Sequence, residues 1–548
     1  MTSSTTSVAA PTPGRVAVHT PTLTAGTLVA TALAVLVAQV GLAIPAVLNG
    51  LFQQDLHTTS SQLTWISDAF LVPVALLELS FGVLGDIFGR KKLLIGGSVL
   101  MAAGELVSVL APAAGASNHA SIGVLWSGQA LTGIGAAVLF PTTLAMVAAG
   151  THTARSRARG IAVWAAALSS GGFVSPLIGG AVTKLHWGAD PTASWRWAFV
   201  VVGILAVVSV VAGFAASNSS APEGRSLDWP GQATLAISLF ALLFSVIQGA
   251  TSGWGSTQVI AGWVVAVVLF AAFIVVERRS TAPLLRLDLF RSRAFSVNSI
   301  VTLIGMFSFL GTAYATSIRL SAIQGFSPMK TSIAFVLLQG FALLLMPLTA
   351  KVIRSFNPRW ALGCGFLLIG VGDLWISTES VSGMSLGAIV APLVLVGIGF
   401  AFALSSVTAV AVNTVSSDLH GMAAGTTSQL RDFGFTLGPA VIGAIALSRA
   451  ATEIHTKLAT NPALQSALAK FSSSAPPPAV GAVHSGPLGA NAVPGNPLQH
   501  TAFTALGNAY SLGYVVCGVA ALAAAALAVT ALGGTSHRPM IIESSLDA

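Results

Sequence analysis

Five carboxyl groups and one guanidinium fall inside stretches that otherwise hold almost no charge. They are Asp68, Glu78, Glu105, Asp373 and the neighbours Arg431 and Asp432. An ionisable group in an apolar medium is costly, so its presence there marks a path for ions or protons. Whether such a carboxyl holds its proton depends on what faces it, and a guanidinium contact made and broken would load and unload it. Asp432 is the first candidate for that role, because it adjoins Arg431 and lies two turns before Pro439 on a similar face. A static Arg–Asp pair is the structural alternative. Glu78 follows Asp68 by nearly three turns, which puts the two on one face. Asp68 reads as a wetted vestibule residue, Glu105 as a pathway residue or a buried hydrogen-bonded acid, and Asp373 as a structural or lipid-edge group.

The stretches that hold these groups are membrane spans. The chain is 54% hydrophobic and only 8% charged, with a mean hydropathy of +0.83, whereas soluble domains carry roughly 25% charged residues. Runs such as Val259 to Val276 are free of charge for about the 20 residues that a spanning helix needs. Apolar runs separated by polar breaks predict fourteen spans, near 23–51, 63–84, 93–113, 120–149, 160–183, 196–216, 229–249, 256–276, 294–322, 330–350, 360–379, 384–413, 420–447 and 502–532. The net charge of +8 arises from clusters such as Arg90-Lys91-Lys92, Arg155-Arg157-Arg159, Arg278-Arg279 and Lys351-Arg354-Arg359. These alternate between apolar runs, so they report topology with both termini cytoplasmic, and no nucleic-acid partner is implied. Cys364 and Cys517 fall within spans, and neither a disulfide framework nor a metal motif is present. No cofactor is expected. The polar first twenty residues lack a signal-peptide core.

The spans repeat. Gly133-Ile134-Gly135 in the fourth span returns as Gly397-Ile398-Gly399 in the twelfth. Gly171-Gly172-Phe173-Val174-Ser175-Pro176 in the fifth returns as Gly434-Phe435-Thr436-Leu437-Gly438-Pro439 in the thirteenth. From the first glycine of each pair to the proline is 43 residues in one copy and 42 in the other. Close helix packing by small residues explains each motif alone; their matched spacing points to an internal repeat of the kind transporters build around a midplane site. The expected organisation is a tail at 1–22, a six-helix half at 23–216, two linker helices with their loops at 217–293, a second six-helix half at 294–532, and a tail at 533–548. Residues 450–500, rich in Pro, Ser, Gly and Ala, are expected to form a flexible loop outside the membrane. Asn461 to Lys470 could form a short helix there, and deleting 472–497 is expected to leave function nearly intact.

The loop after the second span, Gly82-Val83-Leu84-Gly85-Asp86-Ile87-Phe88-Gly89-Arg90-Lys91-Lys92, resembles the G-x-L-a-D-r-x-G-r-k signature of the major facilitator superfamily. Gly82, Gly85, Asp86, Gly89, Arg90 and Lys91 would form a conformational gate, with Asp86 engaging Arg90 or a helix N-terminus of the other half. Gly171, Gly172, Ser175, Pro176, Gly179 and Gly180 resemble that superfamily's antiporter motif G-x-x-x-G-P-x-x-G-G, with Ser175 at the second glycine. Together with fourteen spans and Trp195-Arg196-Trp197 opening the sixth, the chain is similar to the fourteen-helix drug:proton antiporters of the multidrug efflux type. The resemblance implies the major facilitator fold: an all-α polytopic membrane protein of two six-helix halves and two inserted linker helices.

It also implies export of small amphipathic or cationic compounds from a cell-membrane monomer, by alternating access and in exchange for protons. Two positions depart from the pattern. Leu36 stands where the first span usually carries an acid, and Gln129 where the fourth carries an arginine, so the usual proton route cannot be copied across. Gln39, Gln129, Gln339 and Asn413 are the expected cavity amides, with Phe140 and Trp164 as aromatic candidates. A facilitator or dedicated metabolite exporter working without protons, and a membrane scaffold or sensor that has lost transport, remain the competing readings. No catalytic motif suggests an enzyme.

Overall fold

Thr24 and Thr59 accept backbone hydrogen bonds from Thr27 and Gln62 to start the helices at Ala25 and Ser60, and Thr153 does the same for Ser156. The computed structural model describes residues 23–112, 118–151, 153–188, 190–220, 227–280, 283–415 and 419–532. Both tails and Arg225 lie outside the described residues.

The first crossing is α1 (Ala25–Ala43) continued by α2 (Pro45–Leu56). Then come α3 (Ser60–Phe88), α4 (Arg90–Val109), α5 (Asn118–Ala149), α6 (Ala154–Val182) and α7 (Arg196–Phe214). The linker pair is α8 (Trp229–Ser252) and α9 (Thr257–Arg279). The second half begins with α10 (Arg293–Ser317), which runs into a π-helical turn at Ile318–Ile323. It continues with α11 (Pro328–Leu344), α12 (Met346–Ser355), α13 (Pro358–Thr378), α14 (Gly387–Asn413) and α15 (His420–Thr460). After α16 (Pro462–Ser474), α17 (Pro477–His484) and α18 (Pro487–Ala492), α19 (Gln499–Ala531) makes the last crossing. Among the described residues, thirteen helices are long and apolar enough to cross a membrane. The pair α11 and α12, bent by 50°, supplies a fourteenth. The bend falls just before Pro347, whose ring cannot continue a straight helix.

The repeated glycines hold equivalent contacts in the two halves. A methyl group added at Gly133 would strike the Phe70 carbonyl of α3, and one added at Gly397 would strike the Leu337 carbonyl of α11. At Gly135 and Gly399 the added methyl would stand 2.7 and 2.5 Å from the carbonyls of Gly97 in α4 and Gly365 in α13. In each half, therefore, the fourth helix presses one glycine on the second and the other on the third.

The linker pair lies over the seam between α3 and α15. Gln232 of α8 donates to the Leu76 carbonyl at 2.5 Å and accepts from Ser80, while Ser61 donates to Gln248 at 3.3 Å. Against α15 the contact is apolar, through Leu235, Leu239 and Leu243 facing Ala440 and Ala444.

Residues 450–500 differ from expectation. The segment is helical, because Pro462, Pro477 and Pro487 each occupy the first turn of a helix, where a missing amide costs nothing. Leu488 and Val483 are buried. Asn491 donates to the carbonyls of Ala322 and Ile323 at 3.1 and 3.2 Å, at the end of the π turn. Deleting 472–497 is therefore expected to lower thermal stability, since each buried carbonyl left unpaired costs about 1–3 kcal/mol. Heating the detergent-solubilised variant and following its monodisperse peak checks this; an unchanged midpoint would return the segment to a dispensable role.

Candidate functional site

Residues from eight crossings converge on one cavity between the halves. It encloses about 1040 Å³, mouth included. Its walls are mainly apolar: Phe309 and Phe400 stack with ring centroids 3.6 Å apart, Phe435 lies 6.4 Å from Phe309, and Phe140, Phe335 and Tyr314 complete the aromatic lining. Polar groups are few. Gln39, Asn49, Ser169 and Gln339 reach the wall, and so do Arg431 and Asp432.

The face opposite the chain termini is closed by hydrogen bonds across the halves. Asn49 donates to Ser317 at 2.8 Å, and Ser317 donates to the Ala46 carbonyl. Thr64 and Tyr314 share a bond of 2.8 Å, and Ser332 donates to the Pro176 carbonyl at 2.5 Å. These partners are neutral hydroxyls, amides and carbonyls, each such bond contributing about 0.5–1.5 kcal/mol net. A closure of this strength is reversible.

The antiporter-type motif presents two adjacent stripes of α6 to two different helices. A methyl at Gly171 would stand 2.7 Å from the Leu36 carbonyl and one at Gly179 would strike Val47, while Ser175 donates to the Val40 carbonyl at 3.2 Å. That stripe faces the first crossing. One residue on, a methyl at Gly172 would stand 2.5 Å from Gln339 Oε1 and one at Gly180 would stand 3.0 Å from Met329 Cα. With Pro176, that stripe faces α11 of the other half. The motif is thus the hub where α6 meets both its own half and its partner.

The gate motif is stapled to the end of α7 and to the segment that follows it. Arg90 grips Asp86 through Nη2 at 2.7 Å and Nε at 3.1 Å, and its backbone amide donates to the Ser219 carbonyl at 2.9 Å. Lys91 donates to the Phe214 carbonyl at 2.7 Å. Gly89 has φ 98°, a backbone state other residues adopt only under strain. An added methyl would leave about 3.5 Å at Gly82 and Gly85, so sterics demand a glycine only at Gly89.

The embedded acids separate into distinct environments. Arg431 holds Asp432 through Nε at 2.8 Å and Nη2 at 3.1 Å, and Glu78 of α3, buried with its Oε2 unpartnered, faces that pair. Asp68 is wholly buried with both oxygens unpartnered, beside Tyr314, so it is no wetted vestibule residue in this form. Glu105 is also buried and unpartnered, between Gly41 and Gly203 in the interior of the first half. Asp373 accepts from Thr312 at 2.8 Å and Ser308 at 3.4 Å within the second half, a structural setting.

Of the four expected amides, Gln39 and Gln339 line the cavity. Gln129 does not: it is fully buried and donates to Ser108 of α4 at 3.1 Å. Asn413 is exposed at the end of α14. Trp164 donates to Thr143 at 2.8 Å, a packing role, whereas Phe140 does line the cavity. The Phe309–Phe400 stack was not anticipated, although Phe400 follows Gly399 directly and a signal was there to find.

A family model described as the Major Facilitator Superfamily matches residues 29–439. The tetracenomycin C resistance and export protein of Streptomyces glaucescens is 28% identical over 426 residues, covering 77% of this chain and 76% of that protein. The multidrug resistance protein Stp of Mycobacterium tuberculosis is 28% identical over 394 residues, covering 72% and 70%. The multidrug efflux pump LfrA of Mycolicibacterium smegmatis is 26% identical over 432 residues, covering 78% and 82%. Among solved structures, an inward-facing, unoccupied bacterial homologue of the human lysosomal transporter Spinster superposes with a TM-score of 0.63 at 16% identity, covering 93% of this chain and 97% of that one. A peptide transporter of the POT type superposes with a TM-score of 0.58 at 14% identity, covering 92% and 96%.

Proposed function

The chain belongs to the major facilitator superfamily, and on that premise we propose that it exports small amphipathic or cationic compounds across the cell membrane, in exchange for protons and by alternating access. It is an integral membrane transporter and no enzyme. The observation that carries the reading is the cavity itself: an aromatic chamber between two repeat-related halves, with the Arg431–Asp432 pair on its wall. Flat apolar compounds gain contact area from the Phe309–Phe400 stack and its neighbours. A cationic one gains further from ring faces. The relatives named for drug resistance and export favour the same substrate class.

Alternating access follows from the way the halves meet. Glycine contacts hold each half rigidly together, while the face opposite the termini is joined by neutral hydrogen bonds. With cytoplasmic termini this is an inward-facing form, which loads substrate from inside the cell. Exchange for protons is assigned to the Arg431, Asp432 and Glu78 cluster, which touches both the cavity and the seam between the halves.

The test is uptake of cationic and neutral drugs into inside-out vesicles with an imposed proton gradient. Drug accumulation that dissipates the gradient supports the reading. Uptake indifferent to the gradient would select a facilitator, in keeping with the neutral Leu36 and Gln129. Asp432→Asn leaves the Arg431 guanidinium without its carboxylate, and gradient-driven uptake is expected to fall by about tenfold or more at normal membrane levels. Undiminished uptake by that variant would remove Asp432 from the mechanism.

A further inference from the structure

We propose that Glu78, and not Asp432, is the residue that carries the exchanged proton, with Asp432 serving as its fixed acceptor. This rests on the reading of the protein as a proton-exchanging exporter and assigns the proton to one atom group within it.

The geometry distinguishes the two acids. Both oxygens of Asp432 are taken by the fork of Arg431, at 2.8 and 3.1 Å, and a bidentate guanidinium contact is made to the carboxylate form. The second carboxyl at the site, Glu78, faces Asp432 from the opposite half, where Gln429 of α15 donates to the Ala75 carbonyl of α3 at 3.4 Å, each about one turn from one of the two acids. Two carboxyl groups in contact share a proton, because two like charges at that distance cannot both persist. That proton belongs on Glu78: no guanidinium contacts it directly, and its Oε2 is buried without a partner. With the proton there, Glu78 is neutral and Arg431 offsets Asp432, so the site carries no net charge.

The surroundings keep it so. From α15 the charged groups facing Glu78 are Arg431 and Asp432. From the lipid side α8 covers the seam with Gln232, which bonds the Leu76 carbonyl and Ser80 on either side of Glu78, and with the apolar Leu235 and Leu239. Glu78 and Asp432 are each less than a tenth exposed.

Because the donor is on α3 and the acceptor on α15, the O–H···O contact exists only while those helices are in register at this depth. When they shift, Asp432 keeps Arg431, whereas Glu78 loses its acceptor and gives its proton to water. A positive charge arriving in the cavity has the same effect, since it can replace the proton as the counter-charge of the two carboxylates. The exchange balances: the Glu78 O–H bond breaks, one proton leaves, and one monovalent cation takes its place at constant net charge.

The test is proton release from the full-length protein in weakly buffered detergent when tetraphenylphosphonium is added, read by a pH indicator beside a binding isotherm. Wild type is expected to release about one proton per cation bound, and Glu78→Gln, which keeps a donor towards Asp432, about tenfold less. Glu78→Asp should restore part of the release. If Glu78→Gln fails to fold, the carbonyl stretch of a protonated carboxyl in infrared difference spectra serves instead, and it should be lost on cation binding to wild type and shift in position in Glu78→Asp. Release from Glu78→Gln equal to wild type, or an infrared band unmoved by Glu78→Asp, would overturn the assignment to Glu78 alone. No release from wild type would overturn it together with proton exchange as a whole.

Discussion

A disulfide between cysteines placed at Gly180 and Ser332 is expected to stop transport, and its reduction to restore it. Gly180 lies on the stripe of α6 that faces α11, and a Cβ built there would stand 3.2 Å from Ser332 Cβ. A disulfide holds the two Cβ atoms about 3.5–4.5 Å apart, so the helices need to part by only a few tenths of an ångström. The bond would replace one of the reversible contacts of the closed face, the Ser332 hydroxyl to the Pro176 carbonyl, with a covalent one. If substrate leaves by opening that face, oxidation should lower vesicle transport by about tenfold or more, because the open state is removed from the equilibrium. The reduced protein is its own control for whatever strain the two cysteines introduce. Equal transport before and after reduction, with the disulfide verified by mass, would mean that the closed face does not open during the cycle, and alternating access as described would be abandoned.

The same α6 shows what the sequence could and could not convey. Fourteen crossings were legible because a long uncharged run has no alternative in water. The repeat was legible because glycines at fixed spacing leave a mark that drift in the surrounding apolar residues does not erase. Lateral contacts were not. Gln129 looked like a cavity amide by its place on the fourth span, yet the rotation of α5 turns it to Ser108, and nothing in one helix reports its rotation. Glu78 and Asp432 were each visible as acids in apolar runs. Their meeting depends on two helices more than three hundred positions apart, which no local pattern encodes. Residues 450–500 misled for a different reason: proline and small residues read as loop, but proline at a first helical turn is a start signal, and the burial that stabilises α18 comes from the distant π turn after α10.

Asp55 was overlooked in the sequence altogether, and its replacement carries the largest expected cost in stability. It lies at the end of α2, almost fully buried. Its Oδ2 accepts from Trp195 Nε1 at 2.7 Å and from Arg196 Nη1 at 2.8 Å. Arg196 Nη2 donates to the Ala111 carbonyl at 2.8 Å, and the guanidinium carbon sits 4.2 Å from the Trp195 ring centroid. Phe52 and Phe199 pack edge-on to that ring, with centroids at 5.3 and 5.6 Å. The cluster ties the first, third and sixth crossings together at one face. Asp55→Ala would leave the Arg196 charge buried without its carboxylate, which costs about 3–5 kcal/mol. Thermal unfolding of the purified protein should therefore shift down by about 3–5 °C. Asp55→Asn keeps an acceptor for the Trp195 indole and should lose less. The double variant Asp55→Leu with Arg196→Met removes both charges together. Since a buried ion pair is worth little more than well-packed apolar groups of similar volume, it should recover most of what Asp55→Ala loses. If the double variant is instead as unstable as the single one, the cluster is held by its hydrogen-bond geometry more than by the need to keep a buried charge paired.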